Sequence, residues 1–429
     1  MVIARSVSAR LPGEVRAVLG GLAAYGVAEI ATRLVRIVAI VTIAHRISPE
    51  TMGTAALALS LFELVRVLAN AGIGQRIIAA DALDLDATCR TARTLFWGWC
   101  GTIALLQLIV AGAMATLFDN RDVAAMLAVL SAVYLLMPGG LVQVFLLMRA
   151  GRLGVTARIA ATQTLADHIL SMLLVLVWPS AWALVLPKLL TAPIWLLLVR
   201  RAMPWRPGPG SDRVPLRHFT RFGCGVIVTD LVGAARQQLD KLIVGAMLGT
   251  KALGIYYFAF NAGVGITNSF VASLSIVLFP HLCAAKTRAL RLRRLGQSLC
   301  LALALFLPVT LTQVLLAPIY VPLLFGAHWA SAAPLVAILG LGAVPMIFAS
   351  VATAWLRAEN APGIDAMMGA AASAAALVAL TLGCRIGLAT AATAYVAALY
   401  LVLVPATLFI FARAGWALPR QTSPQEQFA

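Results

Sequence analysis

Apolar runs recur along this chain from Val18 to Phe411, with no polar stretch between them large enough to form a soluble domain. About 20 such residues suffice for a helix to cross the hydrocarbon core of a bilayer. In lipid every backbone polar group must be satisfied inside its own helix or a closed barrel, so repeated runs of this length imply an all-α, integral membrane bundle. Composition agrees, since 62% of residues are hydrophobic and 11% charged, against roughly 25% charged in a soluble domain. Mean hydropathy is +0.94.

The polar breaks delimit twelve expected helices, at 18–44, 52–71, 93–117, 123–148, 155–177, 181–199, 220–246, 252–280, 296–319, 329–356, 364–383 and 388–412. Short connections such as Trp178-Pro179-Ser180 make sequential helices antiparallel neighbours. Loop charge sets the orientation. Alternate polar segments carry most of the basic residues, among them Arg5, Arg10 and Arg16, Arg90 and Arg93, Arg149 and Arg152, the run Arg200 to Arg221, and Lys286 to Arg294. The intervening segments hold Arg46, Arg121, Lys251 and Arg385. Such a bias assigns both termini to the cytoplasm. The segment 1–17 has no cleavage site after a short apolar core and reads as a retained cytoplasmic tail, with 413–429 as its counterpart.

A formal charge of +17 would suggest nucleic acid in a soluble protein, but here the basic residues lie in membrane loops and no nucleic-acid partner is inferred. Six cysteines show no C-x-x-C spacing and five histidines no H-E-x-x-H, so no metal site and no cofactor are expected.

The longest basic loop, 200–219, contains Pro204, Pro207, Pro209 and Pro215 with Gly208 and Gly210, and reads as a linker between an N-lobe at 18–199 and a C-lobe at 220–412. A shift of 201 residues lays Glu29 on Asp230, Met52-Gly53 on Leu253-Gly254 and Ala58 on Ala259. Two pseudo-symmetric six-helix lobes with substrate bound between them are the expected arrangement.

Charge at membrane depth is costly, so ionisable residues there ordinarily face a cavity or a partner. Glu29, Arg33 and Arg36 share one stripe of the first helix, and Glu63, Arg66 and Asn70 share one face of the second. The seventh helix repeats the theme with Asp230, Gln237 and Lys241 on a stripe and Arg236 spaced to pair with Asp240. Lys188 and the pair Asp167-His168 complete the set. One reading pairs these groups and lets them orient the bundle, with Asp240 and Lys241 close enough to the outer interface for Lys241 to snorkel to water. The other reading directs Arg33, Arg36, Arg66, Arg236 and Lys188 into a hydrated cavity that holds a diphosphate, which arginine's planar fork suits. Glu29, Glu63, Asp230, Asp240 and Lys241 then serve coupling or charge pairing. Prolines 138, 187, 193, 308 and 345 are expected to break or kink their helices.

Specific stretches carry a resemblance. A-H-R-I-S-P-E-T-M-G followed by A-N-A-G-I-G-Q-R, within 44–76, and Q-Q-L-D-K-L-I-V-G-A-M-L-G-T-K-A-L-G-I-Y-Y-F-A-F-N-A, within 237–262, resemble the two half-signatures of polysaccharide transporters. Leu324-Phe325-Gly326 before His328-Trp329, and Trp355-Leu356-Arg357-Ala358, are similar as well. The family is the Wzx-type flippase branch of the multidrug/oligosaccharidyl-lipid/polysaccharide exporter superfamily, whose MATE-like members have two six-helix lobes. The resemblance implies a transporter, not an enzyme. It would carry an undecaprenyl-diphosphate-linked repeat unit of O-antigen, capsule or exopolysaccharide across the bacterial inner membrane by alternating access. Polymerase and chain-length proteins of the same pathway are the implied partners. An end after the twelfth helix argues against a peptidoglycan precursor as cargo.

Two alternatives stay open. A cation-coupled drug exporter of the same superfamily would want an acidic pocket, whereas the intramembrane set here is mixed and slightly basic. A membrane-embedded glycan polymerase or transferase would want catalytic carboxylates in a large outer loop, whereas Glu50, Asp119 and Asp122 are isolated in short ones.

Overall fold

The computed structural model describes residues 34–70, 72–208, 214–215, 217–263 and 287–416, with short pieces between 278 and 285; the side chains of several of these, 220–230 among them, lie outside the description. Among the described residues the regular structure is entirely helical. Helix α1 covers 34–46. It is followed by α2 (Pro49–Arg66), α3 (Ile73–Ala79), α4 (Leu85–Thr116), α5 (Arg121–Leu130), α6 (Ala132–Leu136) and α7 (Pro138–Arg149). Then come α8 (Leu153–Val177), α9 (Trp182–Ala202), α10 (Arg217–Ala262), α11 (Arg288–Phe325), α12 (Ala333–Leu341), α13 (Ala343–Ala358), α14 (Pro362–Cys384) and α15 (Leu388–Trp416). Nine of the described helical runs are long and apolar enough to cross a bilayer, and a tenth is the bent pair formed by α5–α6 and α7.

Local chemistry explains the ends. Ser48 accepts a bond from the Thr51 amide at 3.2 Å, Pro49 stands at the first helical position, and Glu50 lies in the first turn, so I-S-P-E is a helix start. Asn120 caps α5 through Val123 N at 3.1 Å, and Thr287 caps α11 through Leu290 N at 3.2 Å. Arginines finish the other ends, where carbonyls lack helical partners. Arg149 Nη1 donates to the carbonyls of Ile77, Ile78 and Ala80 at 3.1, 2.8 and 2.5 Å and closes α3. Arg46 reaches Leu176 O at 3.0 Å and Arg152 reaches Ala202 O at 3.1 Å.

The prolines divide in their effect. At Pro138 the chain bends by 53° between α6 and α7. Pro345 lies just after the junction of α12 and α13. Pro187 and Pro193 run within continuous α9 and Pro308 within α11, so of the expected breaks or kinks the helix is not broken at these three. Helix α10 contains one interruption, at Gly249, whose φ of 83° and ψ of 176° divide it into two helices.

The chain forms two compact units, 1–47 with 65–230 and 48–64 with 231–429. Nearly all of α2, through Leu64, thus groups with the second half of the sequence rather than with its own. The cause is a close crossing inside the second unit. A Cβ added to Gly53 would lie 1.7 Å from Thr250 O, and one added to Gly254 would lie 1.7 Å from Pro49 O. Elsewhere in that unit, Trp329 is fully buried and stacks on Phe258 at 4.2 Å, with Phe325 edge-on at 4.9 Å. The F-G-x-H-W stretch is therefore a packing motif. In the first unit Gly74 of the G-x-G-Q stretch admits the Phe145 ring, 1.9 Å from where its Cβ would be.

Candidate functional site

Among the described residues two clusters of intramembrane charge are found, one in each unit. In the first unit Lys188 of α9 donates to Asp167 Oδ2 of α8 at 2.6 Å. His168 lies within electrostatic reach of Asp167, Lys188 and Arg36, so Arg36 and Lys188 share a neighbourhood. The second carboxylate oxygen, Asp167 Oδ1, is buried and has no hydrogen-bond partner among the described residues. Arg36 is half-buried, and among the described residues no carboxylate lies within ion-pair distance of it.

The second unit holds a drier arrangement. Asp240 is 1% and Lys241 6% exposed, which excludes snorkelling to water. Lys241 Nζ lies 3.2 Å from Asp240 Oδ1, donates to the Gln237 carbonyl, and stands 4.5 Å from the Phe260 ring centre. Tyr256 OH donates to Asp240 Oδ2 at 3.1 Å. Each polar group is thus matched and the lysine is further held by a π face, as a charge buried in apolar surroundings requires.

The i,i+4 pair expected of Arg236 and Asp240 does not form. Arg236 is exposed and turns toward α14, where the missing side chain of Gly369 leaves room; a Cβ there would be 3.1 Å from Arg236 Nη1. Among the described residues Arg236 has no carboxylate partner. Tyr395 of α15 lies within electrostatic reach of both Asp240 and Arg236.

Glu63 is half-buried in the second unit and Arg66 is exposed in the last turn of α2. Asn70, expected on their face, lies in a 3-10 turn at Val67–Asn70 beyond the end of α2. Glu29 and Arg33 lie outside the described residues, as does the side chain of Asp230.

Sequence reading missed Tyr256, Phe260, Tyr395 and Gly369. For Tyr256 a signal was present. A reversal at Gly249 brings residues that flank it at similar separations to the same level, and Asp240 and Tyr256 do so nearly equally. Gly369 and Tyr395 depend on packing of α14 and α15 against α10, which local pattern does not encode.

The fold is that of known transporters. A multidrug resistance MATE family transporter of the MOP superfamily, inward-facing, is similar with a TM-score of 0.71 and 14% identity, over 90% of this chain and 96% of that one. The lipid II flippase MurJ, inward closed, is similar with a TM-score of 0.71 and 12% identity, over 91% and 90%. Among sequence relatives is the succinoglycan biosynthesis transport protein ExoT of Rhizobium meliloti (strain 1021), 24% identical over 320 residues. That match covers 71% of this chain and 62% of the relative's length. The family described as polysaccharide biosynthesis protein matches residues 43–334. That match takes in both half-signatures and most of the bundle, and on it the chain belongs to the polysaccharide biosynthesis protein family.

Proposed function

We propose that the chain is a flippase that moves an undecaprenyl-diphosphate-linked oligosaccharide repeat unit from the cytoplasmic to the outer leaflet of the bacterial inner membrane by alternating access. The observation that carries this reading is that Arg36 on α1 and Arg236 on α10 each place a guanidinium at membrane depth with no carboxylate within ion-pair distance among the described residues. A guanidinium in hydrocarbon costs several kcal/mol, so these two must meet water or an anion. A sugar-bearing diphosphate supplies that anion, and the paired N–H groups of arginine match its oxygens. Family membership and the transport role named for the Rhizobium relative support the same cargo class.

An inside-negative potential favours outward movement of each net negative charge by about 2.3 kcal/mol per 100 mV, so the potential assists export. Polymerase and chain-length proteins would act on the delivered unit at the outer face. The drug-exporter reading draws on the shared fold alone. It is weakened by Asp240, whose carboxylate is already committed to Lys241 and Tyr256 and is closed to a cationic drug.

The test is complementation of a strain that lacks its own flippase for the same polymer. Wild-type chain should restore surface polysaccharide. R36Q and R236Q, at wild-type membrane abundance, should lower it at least about tenfold and raise intracellular lipid-linked repeat units, in line with the loss of one charge-assisted contact each. Full export by the double variant would sink the proposal.

A further inference from the structure

One end of the first unit contains a cleft of about 330 Å³ that none of the proposed cargo residues lines. Its walls are the start of α4, the bend before α7, the end of α9 and the connector residues that follow α9. Arg93, Arg200 and Arg206 supply three guanidinium groups, and Trp97 and Trp205 two indoles. The volume falls within the range of about 300–1,000 Å³ typical of small-molecule sites.

Several contacts build this cleft. Arg200 Nε donates to Gly139 O at 2.9 Å, and a Cβ at Gly139 would stand 2.8 Å from Arg200 Nη2, so the glycine beside Pro138 is what admits the guanidinium. Gln143 Nε2 donates to Trp205 O at 3.4 Å and holds the connector against α7. Among the described residues no carboxylate lies within ion-pair distance of Arg93, Arg200 or Arg206. Asp86, the acid in the first turn of α4, is already engaged by Arg90 at 2.9 Å. The cleft therefore gathers three exposed positive charges, and clustered arginines suit phosphate oxygens.

Two features favour a lipid over a dissolved phosphate. Trp97 is 47% exposed and begins an exposed stripe that continues through Gly101, Leu105 and Leu108 along one face of α4. That stripe is a track for an acyl chain leading away from the cleft. The basic loops at this end also mark the cytoplasmic headgroup level, where indoles concentrate and where basic pockets between helices take anionic headgroups. We propose that this cleft binds the phosphodiester headgroup of an anionic phospholipid of the cytoplasmic leaflet, with one acyl chain along the Trp97 to Leu108 stripe. The site does not depend on the identity of the cargo.

Native mass spectrometry of the full-length chain in mild detergent tests this, with palmitoyl-oleoyl phosphatidylglycerol and the matching phosphatidylcholine as probes. Phosphatidylglycerol should bind about tenfold more tightly, the scale of one or two charge-assisted bonds. R93Q/R206Q should lose that preference, R93K/R206K should keep most of it, and R121Q, distant from the cleft, should match wild type. Thermal unfolding confirms that each variant is folded; if R93Q/R206Q does not fold, competition by added salt on the wild-type chain gives the same readout. Equal binding of the two lipids, or unchanged phosphatidylglycerol binding in folded R93Q/R206Q, would overturn the proposal. Displacement of the lipid by inorganic phosphate at matched concentration would make the cleft a soluble-anion site. Displacement by undecaprenyl diphosphate at lower concentration would make it a cargo port. Either result replaces the resident phospholipid.

Discussion

Gly53 and Gly254 make one contact twice: each presents its bare Cα to a carbonyl on the other's helix, Thr250 O and Pro49 O, at 1.7 Å from where a Cβ would be. The two glycines stand 201 residues apart, as do Pro49 and Thr250, so the crossing joins positions that the 201-residue shift lays on one another. Even alanine at either position must push the helices apart. G53A and G254A should each lower thermal stability in detergent by about 1–3 kcal/mol. The double variant should lose less than the sum, because the first methyl already opens the crossing. G112A on α4, where nothing lies within 4 Å of the added carbon, should not destabilise and should gain up to about 1 kcal/mol from alanine's helix propensity.

The buried Asp240–Lys241 pair predicts an asymmetry. K241M leaves a carboxylate in a dry site and should cost about 3–5 kcal/mol, as should D240L through the stranded ammonium. Combining them removes both charges and should restore most of the loss. Unfolding midpoints by intrinsic fluorescence read all three variants, and an additive double would show that the two residues do not act as a pair.

At Gly249 the expected cost is purely conformational. Its φ of 83° and ψ of 176° lie in a region that side-chain-bearing residues avoid, yet nothing lies within 4 Å of an added Cβ. G249A should therefore destabilise by about 1–3 kcal/mol through backbone strain alone. Calorimetry that finds no change would mean that this turn readily relaxes.

Arg149 closes α3 with a single guanidinium nitrogen shared among three carbonyls. R149K retains the charge but not the planar fork, and R149Q retains neither. Amide exchange over residues 77–80 should accelerate in both, and more in R149Q. Equal protection in wild type and R149Q would assign the stability of that helix end to packing.

Much of this fold is legible from the chain alone because lipid leaves so few options. Apolar length gives the spans, Ser48-Pro49-Glu50 starts a helix that apolar length alone begins at 52, and the gap between the expected helices 220–246 and 252–280 contains the interruption at Gly249. Pro138 is a readable bend; that α9 and α11 run unbroken through Pro187, Pro193 and Pro308 is not readable, since neighbouring groups re-satisfy the backbone that a transmembrane proline frees. The charged residues could be placed on stripes, but stripes do not name partners. Asp240 looked due for Arg236 four residues away and instead took Tyr256 from the far side of the turn. Arg93 and Arg200 served in the sequence only as marks of membrane sidedness, because a cleft between three helices and a connector is a property of packing.

The Pro- and Gly-rich connector has the composition of a loose tether, yet its described residues are tied down at three points. Gln143 holds Trp205, Arg90 reaches Gly208 O at 3.5 Å, and Thr91 Oγ1 accepts the Val214 amide at 3.0 Å. It is therefore part of the first unit, closing one wall of the basic cleft. Anyone dividing this gene to express its repeats as two polypeptides should cut beyond residue 215, so that the strap travels with the fragment it upholsters. A cut just after α9 would hand that wall to the other fragment.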